Sequence, residues 1–116
     1  MARRKKGRRP TEPAATFEYT DPEGNVLTLR GELSAGTIRK LASPDKRPAT
    51  SPEDAYHRRS EILFERLAVR WEIAGLPLDD QKMLLGRYRM AGPETQGWVR
   101  RTIAAHVERH IPELAE

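Results

Sequence analysis

Residues 51–77 read SPEDAYHRRSEILFERLAVRWEIAGLP, and the fold depends on how far the helix in that stretch extends. Ser51 followed by Pro52, Glu53 and Asp54 is a helix start. It combines a hydroxyl that can accept from a free backbone amide, a proline tolerated at the first helical position, and acids that suit the positive end of the helix dipole. Tyr56, Leu63, Leu67, Trp71 and Ala74 then recur at helical spacing, and Phe64 with Ala68 widens that stripe. Gly75 can adopt the left-handed cap, and Pro77 follows it. The pattern predicts a helix from the Ser51 cap to about Ala74, with Ile73 falling off its apolar stripe and open to solvent.

Toward the C-terminus, Asp79 opens a third helix with Met83, Leu84, Tyr88 and Ala91 on one side, stopped by Gly92 and Pro93. A fourth, near Thr95 to Ile111, carries Val99, Ile103, Val107 and Ile111 at four-residue steps and is closed by Pro112. Toward the N-terminus, residues 43–52 (SPDKRPATSP) hold three prolines and read as a loop. Ser34 opens a short helical segment from Ala35 to Ala42. Before it, residues 16–20 (TFEYT) and 26–30 (VLTLR) carry the alternation of half-buried strands, and Pro22 and Gly24 in the intervening DPEGN suit a hairpin loop. Two strands alone are marginal in water, so Phe17, Tyr19, Leu27 and Leu29 need helices to pack on.

The expected fold is therefore α+β and mostly α: an N-terminal β-hairpin, then a short helix, then a three-helix bundle, all in one domain. Residues 1–15 are expected to be a disordered basic arm, 16–42 the hairpin and short helix, 43–52 a loop, 53–111 the helical part, and 112–116 a tail. A length of 116 residues suits one core and no second one. Only 37% of residues are hydrophobic while 33% are charged, which implies a modest core and solvated ends.

Cysteine is absent, so disulfides and thiolate metal sites are excluded and nothing calls for an oxidising compartment. The basic start MARRKKGRRPTEP is not followed by the apolar stretch of a secretory signal, and no apolar run approaches the ~20 residues that span a bilayer. A cytoplasmic protein without a membrane partner is the expectation. The excess of arginine over lysine, with frequent alanine, fits a bacterial or phage gene of high GC content.

Charge is unevenly placed. Arg3, Arg4, Lys5, Lys6, Arg8 and Arg9 supply six positive charges, and with +4 over the whole chain the remainder carries −2. Basicity thus belongs to the arm, and an arm on a mildly acidic domain is weaker support for nucleic-acid binding than a basic face would be. Arg87, Arg89, Arg100 and Arg101 flank the Gly92–Pro93 turn and could assist such binding. A helix-turn-helix reading fits poorly, because the positions where that motif wants a small residue and a buried aliphatic hold Tyr88 and Trp98.

Signs of catalysis are sparse. His106 and His110 stand four apart on a helix, a spacing at which two imidazoles can reach one metal, but Val107 replaces the glutamate of zinc-protease helices and only His57 remains as a further histidine. No metal and no cofactor is expected. Glu53, Asp54, Asp79 and Asp80 lie at helix starts, which accounts for them structurally. The serines lack a glycine elbow, and the glycines are too dispersed for a phosphate loop. The chain is read as non-enzymatic.

The order of elements resembles a known family. A basic start, the hairpin FEYTDPEGNVLTLRG, the segment LSAGTIRKL and a helix LFERLAVRWEIAGLP followed by two more helices are similar to tail assembly chaperones of long-tailed actinobacterial phages and prophages. The likeness covers roughly residues 16–114 and consists of layout and apolar placement. It implies binding of a tape-measure protein, which such chaperones shield until tail-tube subunits assemble around it, together with self-association. That family has no catalytic signature to carry over, and the basic arm is not typical of it. On this reading Trp71, Ile73 and Leu76, near the predicted end of the long helix, are the candidate client contacts; the alternative is that they cap the core. Nucleic-acid binding through the arm is the alternative.

Overall fold

The computed structural model describes residues 15–42 and 51–115. Strand β1 (Thr16–Thr20) pairs antiparallel with β2 (Val26–Arg30), Phe17 opposite Leu29 and Tyr19 opposite Leu27. Helix α1 (Ala35–Ala42) follows, its first turn capped by the Ser34 hydroxyl on Thr37 N at 3.2 Å. Helix α2 (Pro52–Leu67) begins at the Ser51 cap, which accepts from Asp54 N at 3.0 Å. The chain then returns to the sheet as β3 (Ala68–Ile73) and β4 (Leu76–Leu78), giving an antiparallel order β1-β2-β3-β4. Helices α3 (Gln81–Met90) and α4 (Pro93–His110) and a short 3₁₀ turn (Pro112–Leu114) complete the fold.

This corrects the expected architecture of a hairpin followed only by helices. Residues 68–78 are not the end of a long helix but the second half of a four-stranded sheet. Val69, Trp71 and Ile73 alternate with Arg70 and Glu72, so the segment satisfies a period of two as well as the helical period. β-Branched and aromatic residues favour the strand, and the intrinsic helix preferences at stake are only a few tenths of a kcal/mol per residue. Packing decides. In β3, Trp71 lies between Leu27 of β2 and Leu78 of β4. Helix α2 ends at Ala68, whose ψ of 127° is already extended. A one-residue slip follows: Thr28 pairs with Arg70 but Leu29 with Ala68, so Val69 is an extra residue. The bulge keeps both Ala68 and Trp71 on the core side of the sheet.

The second hairpin turns through Ala74 (φ 53°) and Gly75 (φ 80°). Two left-handed residues between paired Ile73 and Leu76 make the tight turn whose twist matches that of the strands. Gly75 thus terminates no helix. The Asn25 side chain, from the first hairpin, accepts from Ala74 N at 3.0 Å and ties the two turns together.

The inner face of the sheet gives Leu27, Leu29 and Trp71 to the core, where they meet Phe64 and Leu67 of α2, Leu84 and Tyr88 of α3, and Val99, Ile103 and Val107 of α4. Phe64 stacks on Tyr88 at 4.9 Å and meets Trp71 edge-on at 5.8 Å. Burial of each such side chain contributes about 1.5–3 kcal/mol, which is what a two-stranded ribbon alone could not obtain. Two further expectations are corrected. The last residues are not a loose tail, because Leu114 is buried in the core. Met83 does not share the inner side of α3 with Leu84 and Tyr88. The expected disordered arm and most of the expected loop fall on residues 1–14 and 43–50, outside the described residues.

Candidate docking surface

The histidines with metal-like spacing form a joint between sheet and helix. Phe17 and Tyr19 share one face of β1 at a spacing of two; His106 and His110 share one face of α4 at a spacing of four. Gly31 is needed beside them, since a Cβ there would stand 2.5 Å from the Phe17 ring. Phe17 stacks on His110 with ring centroids 4.0 Å apart. His106, only 1% exposed, uses both ring nitrogens. Its Nε2–H donates to the Arg30 carbonyl at 2.7 Å, and Nδ1 accepts from the Tyr19 hydroxyl at 2.6 Å.

In this tautomer the ring is neutral, the form that burial favours. Burial pushes the His106 pKa down from its ordinary 6.5, the bond to the Arg30 carbonyl opposes this, and neighbouring His110 adds to the fall. Burial also raises Tyr19, against a smaller lowering by Arg109, so its phenol keeps the proton it donates. With both nitrogens occupied, His106 has no lone pair for a metal. Among the described residues no three His, Cys, Asp or Glu side chains converge.

Polar groups elsewhere are similarly committed to the fold. Arg59 donates to the Leu41 carbonyl at 3.0 Å and the Leu114 carbonyl at 2.8 Å, holding the end of α1 and the C-terminal turn against α2. Above it, Tyr56, Ser60 and Arg100 rim a cleft of about 170 Å³ floored by Leu63, Ile103 and Val107. The Ser60 hydroxyl donates to the Tyr56 carbonyl at 3.0 Å, so it is not poised as a nucleophile.

The four helix arginines do not make one face. Arg89 is drawn onto Glu61 of α2 at 2.9 Å, and the Arg100 guanidinium lies over the Tyr56 ring at 5.8 Å. Arg87 and Arg101 are exposed on α3 and α4 respectively. The arm residues Arg3, Arg4, Lys5, Lys6, Arg8 and Arg9 lie outside the described residues.

Of the three candidate client contacts, the structure leaves one open. Trp71 is 1% exposed and central to the core, which removes it from the candidate contacts in favour of the core alternative. Ile73 is partly buried against that core, because an off-stripe residue in a helix becomes a core-side residue in a strand. Leu76, at the start of β4, is 73% exposed. Tyr56, expected on the apolar stripe, is 49% exposed under Arg100, and sequence reasoning also missed Met83 at 58% and Met90 at 84%. The methionines' spacing of seven, two helical turns, was the available signal. Among the described residues no helix is long and apolar enough to cross a membrane. Compared with protein-family models, curated proteins and solved structures, the chain matches none.

Proposed function

We propose that this is a non-enzymatic protein-binding domain that holds a helical client through exposed apolar side chains, working in the cytoplasm. The observation that carries this reading is the contrast between a filled core and large apolar groups left in water. Leu76, Met83 and Met90 lie in solvent although Leu84 and Tyr88, on the same helix as the methionines, are buried. Polar groups that could have supported catalysis, His106 and Ser60 among them, are engaged in holding the fold. Methionine suits such a role because its unbranched, polarizable side chain adapts to varied partners.

The resemblance to tail assembly chaperones read from the sequence, whose long helix the structure replaces in part by β3 and β4, makes a tape-measure protein the first client to test. That proposal expects a tail-tube gene just upstream and a very long tape-measure gene just downstream. Co-expression should keep the long protein soluble and co-purify the two. A client that stays insoluble in the presence of this domain, or neighbouring genes unrelated to tails, would refute the chaperone assignment.

A further inference from the structure

We infer that the solvent face of α3 docks an acidic amphipathic helix of a partner protein. This deepens the protein-binding reading but does not depend on the partner being a tail protein. Leu84 and Tyr88 fix which side of α3 meets the core. Met83 and Met90, seven residues apart, fall on one line on the opposite side, spaced to meet apolar residues two turns apart on a partner helix.

Gly86, half-buried, lies between them along the helix and lines a cleft with Glu65, Lys82 and Arg89. Glycine inside a helix is disfavoured relative to alanine, so its presence calls for a reason. The fold supplies none: a Cβ built at Gly86 would meet nothing within 4 Å. What an absent side chain does provide is a notch between two methionines, through which a second backbone can approach closely. The domain thus bears a conformational cost at the one position where an external helix would cross.

Charge identifies the partner. Helix α3 contains Lys82, Arg87 and Arg89 and no acidic residue. Arg89 is turned onto Glu61. Lys82 and Arg87 are exposed and flank the methionine line on either side, a rim complementary to acids bordering an apolar stripe. A second copy of α3 would bring like charges together and is disfavoured on the same ground.

The test uses the full chain and two synthetic 18-residue amphipathic helices, identical in their leucine stripe and flanked by glutamates in one and lysines in the other. Fluorescence anisotropy should show saturable binding of the acidic peptide and at least tenfold weaker binding of its basic twin. Met83→Ser with Met90→Ser should weaken the acidic peptide tenfold or more. Gly86→Leu should do so as well by filling the notch, and Gly86→Ala should raise the melting temperature while weakening binding. Gly86→Leu keeps the test alive if the double variant fails to fold. Equal binding of both peptides, no saturable binding, or affinity unchanged in the methionine and glycine variants would overturn the inference. Displacement of the acidic peptide by anionic phospholipid vesicles or by single-stranded DNA, each at charge equivalence, would overturn it in favour of those surfaces. If a tape-measure client remains soluble with the double methionine variant, the chaperone reading stands and the α3 surface is wrong. If wild type binds the acidic peptide but leaves that client insoluble, the surface stands and the client is another protein.

Discussion

Between β1 and β2 the chain turns on Asp21, whose carboxylate accepts from Glu23 N at 2.8 Å, Asn25 N at 2.9 Å and Asn25 Nδ2 at 3.1 Å. Between β3 and β4 it turns on Ala74 and Gly75, with no side chain of the turn organising the backbone and a non-glycine residue at positive φ. The first turn is written in local chemistry: an Asx-type acceptor, a proline and a glycine in five residues. The second is imposed by what its strands gain in the sheet. A hairpin of the first kind can be recognised from its own residues. One of the second kind is visible only when the rest of the core is known.

If core packing creates the second hairpin, Trp71 is the residue on which that hairpin depends most. Trp71→Ala should destabilise the domain by about 3–5 kcal/mol, the range for truncating a buried aromatic. Urea denaturation followed by circular dichroism would measure it. A loss under about 1 kcal/mol would mean that residues 68–78 do not depend on the core, and would return Trp71 to the surface. Next in size is Asp21→Ala, which removes a charged acceptor and orphans two backbone amides of the first turn. A loss of about 2–3 kcal/mol is expected. If stability is unchanged, Pro22 and Gly24 set that turn without help, and the contrast between the hairpins disappears.

His106 joins the first hairpin to α4, so pH should separate the two halves of the sheet. Its pKa is lowered in the folded state, so the unfolded chain binds the extra proton more readily. The contribution of the neutral ring is complete above the ordinary 6.5 and is lost as pH falls through the depressed folded value. Stability should therefore decline on acidification below about 6.5, and His106→Gln should flatten that decline. Hydrogen exchange at low pH should loosen β1 before β3. A slope unchanged in the variant would show that the titration of His106 does not drive the decline.

What could be read from the sequence follows the same division. The caps at Ser34 and Ser51, the first turn and the buried line Val99, Ile103, Val107 and Ile111 are local patterns, and each is present in the structure. The stretch from Ala68 to Ile73 fits two periods at once, and Leu67, Trp71 and Ala74 tip a local reading toward the helix. The clue against it was Ile73. A residue that falls off a helical stripe yet alternates with Trp71 and Val69 belongs to a strand. The seven-residue spacing of the methionines is legible, but the periodicity places Met83 with Leu84 and Tyr88, since a wheel of those three does not state which edge meets the core. The bond between Tyr19 and His106 spans 87 residues, and no local pattern announces it.

The smallest effect concerns Ala74 itself. With φ at 53° it occupies the left-handed region, which costs an L-residue with a Cβ roughly 1–2 kcal/mol. Asparagine visits this region more readily because its short amide can bond to local backbone, and Asn followed by Gly is the preferred pair for a two-residue hairpin turn. Ala74→Asn should therefore stabilise the domain, by about 0.5–1 kcal/mol, while keeping the Ala74 N to Asn25 bond, which is made by backbone. Glycine at the same position should gain less, because relief of strain is offset by greater freedom in the unfolded chain. Thermal melts of the two variants against wild type would rank them. If the turn is imposed by the sheet against local preference, Asn should exceed Gly and both should exceed Ala. A destabilised asparagine variant would show that residues 73–76 do not form the left-handed pair, and the reading of the second hairpin as a turn held under strain would fail.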